Sequence, residues 1–279
     1  MREVCEAVHS AGGLVYGDGA NMNALLGVAR PGDLGFDCVH INVHKTFSTP
    51  HGAGGPGAGP LCVKAHLRPF LPKPWIVREA DGSYHYDTAR EDREPAGLGD
   101  SIGTIKQRLG NFGVLVRAYT YMRTLGEEGL VETGRDAILA ANYLLALLRP
   151  VYDVAYDRAP MHEFVLSAAK QKRQGASALD ISKALLDEGF HSPTVYFPLI
   201  VSEAMMIEPT ETEPKETLDA FAAAMLRIAE RVKTDPAAVR DAPKLAPLRR
   251  LDEVTAARRP VLRYRVPGLA GAEPLRGEV

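Results

Sequence analysis

The sequence predicts an α/β chain, a parallel sheet unit followed by a smaller α+β unit, on three observations. Strand-like apolar runs alternate with a helical segment over the first 45 residues; two helical stripes follow from residue 115; and short strand candidates surround one capped helix beyond residue 150. At the start, Val4, Ala7 and Val8 recur at helical spacing and Gly12-Gly13 breaks them, after which Leu14-Val15-Tyr16 forms a strand running up to Gly17-Asp18. Residues 23–35 hold a short helix and a Pro31-Gly32-Asp33 turn. Cys38-Val39-His40-Ile41-Asn42-Val43 has the length and β-branched content of a strand buried on both faces. Strand, helix and strand in that order imply parallel pairing, and Leu61-Cys62-Val63 reads as a strand returning along the sheet.

Residues 69–110 are rich in turn formers and charge and read as a long, partly irregular excursion. Leu115, Ala118, Tyr119, Met122 and Leu125 then lie on one helical stripe, and a second helix spans about 127–148, ending before Pro150. Strands are expected at 151–156, 163–168, 194–199 and 204–207. Between them Ser177-Ala178-Leu179-Asp180 opens a helix with a capping-box pattern, and Gly189 closes it. A last helix starts near Pro214, with Leu218, Phe221, Met225, Ile228 and Val232 on one face. The tail carries six prolines and nine basic against five acidic residues, which suits an extended arm. The expected organisation is therefore 1–149, part of a large sheet domain; 150–235, a small α+β domain; and 236–279, the arm.

Composition removes several function classes. The 279 residues carry 33 basic and 35 acidic side chains, net −2, which argues against a nucleic-acid partner. No apolar run approaches the ~18–20 residues of a bilayer span, and the polar N-terminus is unlike a signal peptide. Cys5, Cys38 and Cys62 form no disulfide or CxxC pattern, which suits a cytoplasmic setting. No cluster has metal-ligand spacing, so no metal is expected.

The chemistry concentrates in Asn42-Val43-His44-Lys45-Thr46-Phe47-Ser48-Thr49-Pro50-His51-Gly52 and the glycine-rich Ala53–Pro60 segment after it. A lysine at the end of a buried strand is desolvated, which favours a neutral, nucleophilic amine able to form a Schiff base with an aldehyde. Asp18, 27 residues earlier, also ends a strand; a carboxylate there can hold a heterocyclic nitrogen protonated, as pyridoxal phosphate requires. One helical crossover separates the two, so both can face one crevice. Taken singly, a strand-end Asp such as Asp18 is usually a turn former and a lysine such as Lys45 usually a solvated surface residue. The glycines lack the following Lys-Ser or Lys-Thr of a phosphate loop.

Asp18-Gly19-Ala20-Asn21, the His44–Gly52 run and the glycine-rich segment resemble the glycine dehydrogenase (decarboxylating) family, the P-protein of the glycine cleavage system, and within it the second subunit of split bacterial enzymes. The resemblance continues through Gly110-Asn111-Phe112-Gly113, Glu163-Phe164-Val165-Leu166-Ser167, Phe197-Pro198-Leu199 and Ile207-Glu208-Pro209-Thr210-Glu211-Thr212, essentially the whole chain. It implies the fold-type-I architecture of pyridoxal 5'-phosphate enzymes. It implies that Lys45 is the Schiff-base lysine and Asp18 the partner of the pyridinium nitrogen, with His44 and Ala20 beside the cofactor. The implied reaction is decarboxylation of glycine and transfer of the aminomethyl group to the lipoyl arm of the H-protein. P-protein subunit 1 is the implied partner and an oligomer the implied state. Two departures stand out: Leu109 replaces an aromatic residue common in the family, and members carry a long upstream segment with cofactor-phosphate contacts, whereas Met1 here falls just before the strand of Asp18. That leads to the expectation of a C-terminal portion or shortened form. The rival readings are another fold-type-I enzyme, such as a class V aminotransferase or a cysteine desulfurase, and a non-catalytic fragment acting only as an interface.

Overall fold

The computed structural model describes residues 1–51, 57–87, 101–106 and 109–263. The chain opens with helix α1 (Arg2–Ser10), then β1 (Tyr16–Gly19), β2 (Cys38–Ile41), the one-turn helix α2 (Val43–Thr46) and β3 (Leu61–Val63). These strands form one sheet in the order β1-β2-β3, with β1 and β2 parallel and β3 antiparallel to β2, as the strand–crossover–strand reading requires. The close approach of β1 and β2 depends on Gly19, where an added Cβ would lie 2.1 Å from the His40 carbonyl oxygen.

The crossover differs from the expected helix. Residues 23–28 make consecutive turns, and a 3-10 turn follows at Pro31–Leu34. The α-type bonds Leu26 N–H to Met22 O and Ala29 N–H to Leu25 O are made, but Gly27 adopts φ 66° and stops propagation. Strand β2 also ends earlier than expected. Only Val39 is fully buried in it, and the backbone turns at Asn42 into α2, so Lys45 sits on a helical turn rather than on a strand.

The excursion after β3 contains a hairpin, β4 (Trp75–Arg78) with β5 (Tyr84–Asp87), paired from Trp75↔Asp87 to Arg78↔Tyr84. Its strands are short and charge-flanked, apolar Ile76, Tyr84 and Tyr86 are exposed, and β4 shows no apolar–polar alternation in sequence. The two expected helices meet end to end as α3 (Phe112–Leu148), interrupted at Gly126, where φ 67° and ψ −173° leave the helical region. Asn111 caps its start, accepting the Val114 N–H at 3.4 Å. Val114 and Ala118 pack on Val43 and Phe47, which seats α2 against α3.

Beyond α3 come β6 (Asp153–Val154), β7 (Phe164–Ser167), α4 (Ala169–Arg173), α5 (Ala178–Asp187), β8 (Thr194–Val195), β9 (Ala204–Ile207), α6 (Lys215–Thr234), α7 (Pro236–Arg240) and α8 (Glu253–Arg258). The second sheet is antiparallel throughout, in the order β6-β7-β9-β8. Both halves of the capping box form: Ser177 Oγ accepts the Asp180 N–H while Asp180 accepts the Ser177 N–H at 2.8 Å. Leu148, Leu166, Ile181, Leu185, Met205, Met225 and Ile228 are fully buried in one core, each worth ~1.5–3 kcal/mol in removed apolar surface. Tyr152 lies in the same core and donates its hydroxyl to the Met225 carbonyl at 3.0 Å; burial pushes its phenol well above the ordinary value.

The segment read as an extended arm begins with α7, whose Val239, 1% exposed, packs in this core. From there Asp187 accepts the N–H groups of Lys244 and Leu245, and Arg250 reaches Asp180 at 2.8 Å, which ties the segment to α5. Among the described residues no helix is long and apolar enough to cross a membrane.

Candidate active site

Asp18 is the penultimate hydrogen-bonded position of β1 and points its carboxylate toward solvent, with 69% of the side chain exposed. Its Oδ1 accepts the Ala20 N–H at 2.9 Å, an Asx turn that reverses the chain directly after the strand. Parallel register sets His40 opposite Asp18, with Nε2 3.4 Å from Oδ1. The other face of that contact is closed by Tyr16, whose ring stacks on His40 and whose hydroxyl meets His40 Nδ1 in a short hydrogen bond. His40 was not singled out in the sequence; the signal for it is the register of the two strands, which appears only once they pair.

Two bonds lace this strand end to the lysine turn. The Met22 N–H donates to the buried Thr46 Oγ1 at 2.9 Å, and the Asn42 N–H donates to the Gly19 carbonyl at 3.0 Å. Asp18 and Ala20 on one side and His44 and Lys45 on the other therefore belong to one connected loop pair. Lys45 is exposed, so the desolvation expected of a buried strand end is not supplied by the described residues. The reason is the early end of β2: a one-turn helix displays the lysine on its surface.

His44 is half-buried, with its ring edge-on to His51 at 4.5 Å between centroids. Burial, and after it the neighbouring His51 and Lys45, lowers its pKa, so the imidazole stays neutral at physiological pH. Ser48 takes φ 53°, a left-handed backbone unusual for a residue with a side chain, and next to it Thr49 Oγ1 is buried with no hydrogen-bond partner among the described residues. The glycine-rich run expected to contribute lies mostly at residues 52–56, outside the described residues.

These groups fit pyridoxal 5'-phosphate. A primary amine for the aldehyde, a carboxylate for the ring nitrogen and a buried hydroxyl without a partner among the described residues make a donor set suited to an anionic, aldehyde-bearing heterocycle.

Residues 133–245 match the family described as glycine dehydrogenase, C-terminal domain. Over 262 residues the chain is 56% identical to the probable glycine dehydrogenase (decarboxylating) subunit 2 of Lysinibacillus sphaericus strain C3-41, covering 94% of this chain and 52% of that protein. The same description applies to a Bacillus licheniformis protein at 55% identity, with the same coverage. Among solved structures, the chain superposes on an inhibitor-bound glycine decarboxylase (P-protein) of the glycine cleavage system with a TM-score of 0.65 at 24% identity, covering 81% of this chain and 51% of that one. It also superposes on Lactobacillus brevis glutamate decarboxylase with a TM-score of 0.57 at 12% identity, covering 82% and 51%. The chain thus spans about half the length of the curated relatives it matches, and its fold is that of the fold-type-I pyridoxal-phosphate enzymes. On sequence and fold together, the chain is similar to about half of the second subunit of glycine dehydrogenase (decarboxylating), with the match to the family's C-terminal domain at residues 133–245.

Proposed function

We propose that Lys45, Asp18, His44 and Ala20 hold pyridoxal 5'-phosphate and that the chain serves glycine decarboxylation, with transfer of the aminomethyl group to the lipoyl arm of the H-protein. The observation that carries this reading is the lacing of the Asp18 strand end to the Lys45 turn through Met22 and Thr46, in a chain whose relatives are described as glycine dehydrogenase subunit 2. The printed term "subunit 2" supports a partner polypeptide, for which P-protein subunit 1 is proposed.

Lys45 Nζ is the attachment point for the cofactor aldehyde, and an exposed turn leaves it accessible to the incoming group. When bound, the cofactor supplies an electron sink for the pair left behind as glycine loses carbon dioxide. Asp18 holds a proton at the ring nitrogen, and its Asx turn fixes the carboxylate so that one oxygen is already engaged. His44, kept neutral, offers a ring face and a nitrogen without adding positive charge beside the Lys45 amine. The Lys45 amine, when free, would hold or return a proton within reach of the same loop pair.

Borohydride reduction in the presence of pyridoxal 5'-phosphate tests the assignment. Peptide mapping should find the adduct on Lys45, and Lys45→Ala should lose it; an adduct on Lys64 or Lys73 instead would refute the site. Glycine-dependent bicarbonate exchange, assayed with lipoylated H-protein and subunit 1, tests the reaction itself.

A further inference from the structure

The proposed mechanism leaves unused a contact that joins the two sheets. Glu208 immediately follows β9, and its Oε1 accepts a short hydrogen bond from Asn21 Nδ2, 187 residues away in sequence. Asn21 lies in the turn between Asp18 and Met22, the residue whose N–H reaches Thr46 beside Lys45. Within that turn Ala20 N–H bonds Asp18 Oδ1 and Asn23 N–H bonds Asn21 Oδ1, both local contacts that leave its angle to the rest of the molecule unset. The Glu208 contact is the long-range one made by the Asn21 side chain.

Glu208 is itself held. His162 Nε2 lies 3.8 Å from its carboxylate and 3.9 Å from that of Glu163, while both ring nitrogens are buried without a hydrogen bond among the described residues. Three residues further on, Glu211 accepts the Tyr121 hydroxyl from α3 at 3.4 Å, so the segment after β9 grips the first half of the molecule at two points. A carboxylate acceptor makes the Asn21 bond charge-assisted and stronger than a neutral pair.

We propose that Glu208 is a positioning residue that holds Asn21, and through it the turn at residues 20–23, in the shape that presents Asp18 and Ala20 to the cofactor. The proposal rests on the cofactor reading of Asp18 and Lys45, but the geometry of the turn can be read without cofactor.

Two readouts on the whole chain test it: hydrogen exchange of the amides at residues 20–23, and the affinity for pyridoxal 5'-phosphate from the absorbance of the lysine adduct. Glu208→Ala should raise exchange and weaken the affinity by about tenfold each, the scale of losing one hydrogen bond to a charged group. Glu208→Gln keeps an acceptor oxygen and should restore most of both. Asn21→Ser should reproduce Glu208→Ala, and the double variant should add nothing further. Glu163→Ala, which alters the same cluster without touching Asn21, should leave both readouts as they are. Unchanged exchange at residues 20–23 in Glu208→Ala, simple additivity in the double variant, or an equal shift in Glu163→Ala would overturn the proposal. A parent chain that binds no pyridoxal 5'-phosphate would refute the cofactor reading, while the exchange arm would still decide the role of Glu208.

Discussion

Asp18 carries the sharpest consequence at the residue scale. Its charge is the feature that a ring nitrogen would sense, and Asp18→Asn preserves the shape and the Asx turn while removing that charge. Cofactor binding should weaken modestly, while carbanion chemistry, read by glycine-dependent bicarbonate exchange, should fall by ~10²-fold or more, the scale of one preorganised electrostatic contact. Equal exchange in both proteins would leave Asp18 as a turn residue only. Asp37 provides a second case, remote from the site. It is 4% exposed and accepts the Val15 N–H at 2.8 Å and His9 Nε2 at 2.7 Å. The Val15 bond first, then His9, lower its pKa against the opposing effect of burial, with Lys64 adding a smaller pull. A folded carboxyl held below its unfolded value contributes stability that is complete above about pH 4 and is lost as pH falls through the folded value. Acid titration of the melting temperature should therefore show a loss below about pH 4 that Asp37→Asn lacks.

At the scale of single elements, α5 stands on its capping box. Ser177→Ala removes the acceptor for the Asp180 N–H and the hydroxyl donor to Asp180 Oδ2 at 2.6 Å. Urea unfolding should show a loss of about 1 kcal/mol with an unchanged slope; no loss would mean that Arg250, 2.8 Å from Asp180, holds the helix start alone. Helix α3 depends on a close approach instead. A Cβ at Gly134 would fall 2.6 Å from the Asn23 carbonyl, so Gly134→Ala must push α3 away from the turn that follows Asp18. That overpacking should cost about 1–3 kcal/mol in the same measurement and weaken binding of pyridoxal 5'-phosphate; an unchanged midpoint would show that the turn yields freely.

The whole molecule presents apolar surface that its own described residues do not cover. Strand β1 is an edge of its sheet, flanked by Leu14 at 60% and Tyr16 at 58% exposure, and Leu199 and Ile200 are exposed at 88% and 79% near the second sheet. An unpaired parallel edge beside apolar side chains favours association. Sedimentation of the isolated chain should show mass rising with concentration, and Tyr16→Lys at the β1 edge should reduce it; a monomer at all concentrations would show that these surfaces are inert.

Local signals made much of this legible in sequence. The capping box at Ser177, the two helical stretches on either side of residue 126, and the strands at 61–63, 164–167 and 204–207 all depend on residues close in the chain. The helix expected within 23–35 failed because one glycine, packed against Val131 of α3, takes a left-handed φ that propensity alone does not dictate. The hairpin at 75–87 was hidden because its strands are short and bordered by charge. What the sequence by itself determined is the resemblance to glycine dehydrogenase and the order of most elements, since each is written in local pattern. Only the tertiary structure decided that Lys45 stands exposed on a helical turn, that His40 faces Asp18 and that Glu208 reaches Asn21. Those outcomes follow from where a strand stops and how strands and sheets pack, which residues far apart in the chain settle together.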